Sequence, residues 1–350
     1  VAGVSTADGL RAAGYQGRIR LVDAEPVEPY DKPPLSKQAL GLAWQVGDGA
    51  LRKPNHYADN GIELLLGRAV VGLDAGRRLV RLSDGETITA GAVVLAVGAI
   101  PRRLVEEPVL AGVHTVRVLA DANAIRTAFA ARPRVVIVGG GFIGLEVASA
   151  ARARGLDVTV VELTDQPLGA VLGHASAAAV TDMHRDEGVQ FETNVGVETI
   201  LGTDAVGGVQ LSDGRVLDAD LVVVGLGVAP AIGWLTYSGL RIGNGVVCDE
   251  YGRTNVAGIY AAGDAAAWVD PLTGRPTRTE HWTTAQQHGT ALGHTIVHPA
   301  APRRPPSVPY FWSDQFDVRL QSLGRPAGAD EIVLQHGGWH TRDFVALYRK

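Results

Sequence analysis

Gly139, Gly141 and Gly144 stand in the stretch GGGFIGLE (139–146), directly after the apolar run RVVIV (134–138). Glycine at the first position allows a tight turn. At the second it lets backbone N–H groups approach a pyrophosphate, and at the third it lets helix and strand pack closely. The helix that opens behind these glycines would aim its N-terminus at the phosphate charge. Glu162 closes the next apolar run, DVTVV (157–161), 21 positions after Gly141. A carboxylate there accepts hydrogen bonds from ribose hydroxyls and repels a 2′-phosphate. The residues that follow, LTDQPLG, hold no Arg or Lys. This part of the chain is expected to bind NADH in preference to NADPH.

Such a site needs strands and helices in alternation, and the sequence supplies them. Continuous apolar runs recur at 18–22, 92–98, 134–138, 157–161, 221–227 and 258–264, with Ala-rich helical stretches between them. Runs of this kind suit parallel strands covered on both faces. RLVRLSDGETI and VQLSDGRVL each place Asp-Gly between β-type runs and read as hairpins. The pattern occurs twice, once from Val1 and once from about Arg134. Each half has a helix, a strand ending in an acid, a hairpin, and a strand ending in glycine; LVVVGLG ends on Gly227.

Aligning the halves explains the opening stretch VAGVSTADGLRAAG, which reads as a helix with small residues along one side. Gly3 falls on Gly144 and becomes the last glycine of a first fingerprint. Its acid would be Glu25, with Asp23 as a rival. The alignment leads one to expect a strand and two glycines upstream of Val1, and FVALYRK, which reads as an unfinished strand, leads one to expect a continuation past Lys350. Two dinucleotide-binding halves imply two nucleotides, NADH and, most economically, FAD. From 299 the Pro-rich stretch PAAPRRPPSVP reads as a linker to antiparallel segments.

Composition narrows the function classes. The 350 residues are 46% hydrophobic and 20% charged, a globular balance. A net charge of −5 gives no reason to expect nucleic acid, and no apolar run reaches the roughly 18 residues of a membrane helix. Cys248 is the single cysteine, which removes an internal disulfide, a redox dithiol and a Cys-based zinc site. His294 and His298 share a helical spacing but lack a third ligand, so no metal is expected.

The stretches PYDKPPLSK (29–37), GGGFIGLE (139–146), GIYAAGD (258–264), TEHW (279–282) and FWSDQ (311–315) together resemble the FAD-dependent, NADH-consuming ferredoxin reductases of oxygenase systems. The resemblance covers essentially the whole chain. It implies two Rossmann-like, glutathione-reductase-like α/β domains and a small α+β C-terminal domain. The FAD domain would take 1–104 and 237–298, the NAD domain 105–236, and the third domain 299–350. Lys37 resembles the lysine beside the flavin ring, Glu146 the acid near the nicotinamide, and Trp282 the residue set against both. Ala2, Val70, Arg117 and Gly263 resemble further FAD contacts, and Asp264 the acid that hydrogen-bonds the FAD ribityl chain. Lys32 stands where relatives often carry Arg, and Val97 where Thr is common.

The implied partner is a 2Fe–2S ferredoxin feeding a haem monooxygenase or a Rieske dioxygenase, met by a cytoplasmic monomer or homodimer. Lys32, Arg303 and Arg304 are the cations expected to face an acidic ferredoxin, and Trp282 and Trp312 the aromatics between flavin and partner. A peroxide-type NADH oxidase and a flavin-deficient NADH-binding fragment are the alternatives.

Overall fold

The computed structural model describes residues 1–350 apart from Glu106 and Ser307. They form two compact units: Val1–Asp31, Gly49–Ile100 and Ala229–Phe311 in the first, Lys32–Asp48, Pro101–Val228 and Trp312–Lys350 in the second.

In the first unit the helix Ala2–Ala12 lies against the helix Trp282–Val297. The small residues noted in the sequence are that contact. A Cβ on Gly289 would strike Ala2 O and Ser5 Cβ, and one on Gly293 would strike the Gly9–Leu10 backbone. Two parallel pairs stand beside them, Ile19–Val22 with Ile62–Leu65 and Val93–Leu95 with Ile259–Ala261. The first Asp-Gly hairpin forms within an antiparallel sheet of Val70–Asp74, Leu79–Leu82 and Thr87–Thr89. Trp268 anchors the core. Its Nε1–H donates to Ala261 O at 2.8 Å, and the His288 ring stacks on it at 3.9 Å.

The second unit is built on a parallel sheet ordered Gln190–Thr193, Val158–Glu162, Val135–Val138, Leu221–Val224, Val113–His114. The central strand Val135–Val138 and its neighbour Leu221–Val224 are buried at every position, as the unbroken apolar runs require. The second Asp-Gly hairpin joins Val206–Leu211 to Val216–Asp218.

Residues 312–350 group with the second unit. The helix Gly169–Asp186 breaks at Gly173, and Tyr348 Oη lies 2.8 Å from Leu172 O, serving a carbonyl next to the break. Residues 32–48 also group with this unit rather than with 1–31, because Leu35 and Leu40 are fully buried there and Arg126 donates to Trp44 O. No described helix is long and apolar enough to cross a membrane.

Candidate functional site

The glycine loop follows the strand Val135–Val138. Gly139 has φ +104°, and a Cβ there would sit 2.6 Å from Gly225 O, so both conformation and space demand glycine. A Cβ on Gly144 would collide with Gly139 O, which shows how closely the helix Phe142–Ala153 rides on the strand end. Gly141 caps that helix in extended backbone. No side chain caps it and no acid stands in its first turn. The leading N–H groups of a helix lack intrahelical acceptors, so this end suits an anion. Glu162 ends its strand facing the loop: Oε2 accepts the Gly140 N–H at 2.8 Å, and Oε1 accepts the Thr164 N–H and hydroxyl at 2.9 Å. Gly227 has φ +78°, and its carbonyl accepts the Arg102 N–H.

One turn further along the same helix, Glu146 is the centre of a buried charged cluster. Lys37 Nζ lies 2.8 Å from its Oε2, and the two side chains are 10% and 5% exposed. The Ser36 hydroxyl donates to Oε2 and the Ser313 hydroxyl to Oε1, each at 2.5 Å. A buried carboxylate is costly unless paired and hydrogen-bonded, and here both oxygens are served. Lys37 also donates to Pro33 O, which ties the PPLSK turn to the pair. Arg117 lies in this unit too; its N–H and that of Val118 donate to Asp121, closing the start of the helix Leu119–Ala128.

The remaining sequence candidates belong to the first unit. Ala2 and Gly263 are brought together: a Cβ on Gly263, whose φ is +68°, would stand 3.0 Å from Ala2 Cβ. Asp264 follows in the same short turn. A Cβ added to Gly3 would touch Ala96 and Leu21 at 3.4 and 3.8 Å, so the helix sits close on two strand ends. The helix Ala2–Ala12, like Phe142–Ala153, has no side-chain cap and no acid in its first turn. These features fit a second dinucleotide. Of the rival acids, Asp23 turns onto the Glu25 N–H, while Glu25 accepts the Tyr30 hydroxyl at 2.5 Å. Trp282 opens the second helix, with Nε1–H donating to Asp31 Oδ1 at 2.9 Å. Val70 begins an antiparallel strand.

Cys248 is buried, and burial pushes its thiol up to about 12, as expected of an inert core residue. No metal-ligating group of three or more side chains occurs among the described residues. Arg304 is engaged within its own unit, 2.8 Å from Glu250 and over the Tyr251 ring. Sequence reasoning missed Ser36, Asp31, Gln315 and His184. The first two lie inside PYDKPPLSK and Gln315 inside FWSDQ, so the motifs enclosed them without assigning them roles. Nothing in its local sequence marks His184.

Residues 1–289 match the pyridine nucleotide-disulphide oxidoreductase family, and residues 310–350 match the reductase C-terminal family. The chain belongs to the pyridine nucleotide-disulphide oxidoreductases. It is similar to a ferredoxin–NAD(P)+ reductase of Sphingomonas sp., at 37% identity over 99% of this chain and 84% of that protein. Among solved structures it resembles the ferredoxin reductase for the CYP199A2 system of Rhodopseudomonas palustris, with a TM-score of 0.94, 34% identity, and coverage of 100% of this chain and 86% of that one. It also resembles the reductase in a covalent putidaredoxin reductase–putidaredoxin complex, with a TM-score of 0.93, 34% identity, and coverage of 99% and 84%. The 350 residues hold one cysteine, Cys248, which is free and buried.

Proposed function

We propose that this protein is an FAD-dependent oxidoreductase that takes a hydride from NADH and passes single electrons to a 2Fe–2S ferredoxin feeding an oxygenase. The observation that carries the reading is the Lys37–Glu146 pair, buried on the helix that the glycine loop opens. Glu146 follows Gly141 by five positions, about 7 Å along a helix axis at 1.5 Å per residue. A charged pair thus stands behind the phosphate anchor, where orientation of a nicotinamide is decided.

FAD held here would supply the match between a two-electron hydride donor and a one-electron acceptor. The chain's own residues do the rest. Gly139, Gly141 and Gly144 admit the pyrophosphate of NADH to the helix N-terminus, and Glu162 accepts its ribose hydroxyls. Glu146 holds Lys37 as a fixed positive charge, and Lys37 would supply that charge beside a bound flavin. Ala2, Gly3, Gly263 and Asp264 form the corresponding cradle for FAD, with Glu25 as its ribose acid. Asp31 fixes the Trp282 indole in one orientation, a planar wall for a ring.

Anaerobic NADH titration of the purified, FAD-loaded protein tests the reading. Bleaching of the flavin band near one equivalent, followed by recovery on adding oxidised ferredoxin, is expected. A flavin band that NADH leaves unchanged would overturn it.

A further inference from the structure

Glu146 stands at the end of a hydrogen-bonded chain that begins far away in sequence. A carboxylate only accepts, so the single proton of the Ser313 hydroxyl is committed to Glu146 Oε1. The Ser313 oxygen then accepts from Gln315 Nε2 at 3.0 Å. Gln315 Oε1 in turn lies 2.8 Å from His184 Nε2, which must carry the proton. Burial keeps the His184 imidazole neutral, its pKa pushed down to about 4. Its rim neighbours are the rings of Phe316 and Phe191. Every donor in the series therefore points toward Glu146, and no member brings a second charge.

The strand places these groups by its own geometry. Ser313 and Gln315 are two residues apart, share one face, and are 1% and 2% exposed. Just beyond, the Phe316 N–H donates to Ser149 Oγ at 2.6 Å. Glu146 and Ser149 are one helical turn apart, so strand and helix meet along a single polar seam. On the other carboxylate oxygen, Ser36 and Lys37 both bond to Oε2. Among the described residues, Ser313 is the side chain that holds Oε1. Without it the carboxylate would be held at one oxygen and could turn about its Cγ–Cδ bond.

We propose that Ser313, backed by Gln315 and His184, is a positioning residue for electron transfer: it locks the Glu146 carboxylate and, through it, the place of the Lys37 ammonium. The C-terminal strand thereby completes the charged centre. This deepens the reading of the protein as an NADH-dependent reductase and rests on it.

Lysine labelling reads the lock directly. The chain has four lysines, Lys32, Lys37, Lys53 and Lys350, so competitive acylation of the FAD-loaded protein reports Lys37 against internal references. Loss of a hydrogen bond to a charged group corresponds to about tenfold. Ser313→Ala is expected to raise Lys37 labelling by about that factor and to lower kcat/KM for NADH similarly, with NAD+ affinity unchanged. Glu146→Gln is expected to raise labelling too, and the double variant to go no further than Glu146→Gln alone. Gln315→Met, with Ser313 intact, should move labelling in the same direction by less, and it serves if Ser313→Ala does not fold. Unchanged Lys37 labelling, or simple additivity in the double variant, would overturn the proposal. The parent reading fails separately, by a wild-type protein that does not oxidise NADH, and the labelling cycle still judges the lock in that case.

Discussion

Lys37 Nζ and Glu146 Oε2 are 2.8 Å apart in a setting that leaves their side chains 10% and 5% exposed. The pair joins a loop turn to the helix opened by the glycine loop, 109 residues later in the sequence. Exposed ion pairs contribute little. A buried pair with both carboxylate oxygens served differs, because removing one partner strands the other charge.

Lys37→Met should therefore destabilise the protein by about 3–5 kcal/mol. Glu146→Gln, which keeps the shape and leaves a more readily hydrated lysine, should cost less. Thermal unfolding followed by near-UV circular dichroism checks the order; a Lys37→Met midpoint equal to wild type would show that the pair is solvated.

In the reading proposed above, Glu162 sets the nucleotide preference. With Glu162→Ala the ribose loses its acceptor, at a cost of roughly 1–3 kcal/mol, and the repulsion of a 2′-phosphate disappears. The ratio of kcat/KM for NADH over NADPH should drop by about tenfold or more. Steady-state assays with both nucleotides check it, and an unchanged ratio would remove Glu162 from the ribose site.

Gly144→Ala should abolish NADH binding and loosen the second unit, since its Cβ would collide with the Gly139 carbonyl. Gly214, by contrast, has nothing within 4 Å of a built Cβ and has φ +89°. Gly214→Ala should show only the modest strain of a left-handed turn, of order 1 kcal/mol. Calorimetric NAD+ titration of the two variants separates them.

Acid should weaken the fold through two buried histidines. Burial lowers His288 from 6.5 to about 3 and His184 from 6.5 to about 4. The unfolded chain takes up protons below about 6.5 while the folded chain does not. Stability is thus full above that pH and falls as pH drops, until the folded imidazoles titrate near 4 and 3. Each group adds up to about 1.4 kcal/mol per pH unit within its window. His288→Phe, which can keep the stack on Trp268, should flatten the decline between pH 6 and 4. Urea unfolding across that range checks the slope.

Much of this fold is legible in the sequence because it rests on local chemistry. Unbroken apolar runs marked the buried strands Val135–Val138 and Leu221–Val224, and both Asp-Gly turns are hairpins. Glu162 was legible because its distance from Gly141 is fixed by one strand–helix–strand passage. The hydroxyls around Glu146 were not. Ser36 is 110 residues from it and Ser313 167, and serine has no periodicity that announces a buried partner. The Trp282–Asp31 bond spans 251 residues. Such meetings are decided by tertiary packing, as is the grouping of 312–350 with the second unit.

The most direct test is ferredoxin reduction itself. The FAD-loaded protein, NADH and an oxidised 2Fe–2S ferredoxin are mixed anaerobically, and bleaching of the ferredoxin's visible band is followed. Two ferredoxins reduced per NADH, with NADPH much slower, is the predicted result. NADH consumption that leaves the ferredoxin oxidised, or equal rates with NADPH, would contradict the account.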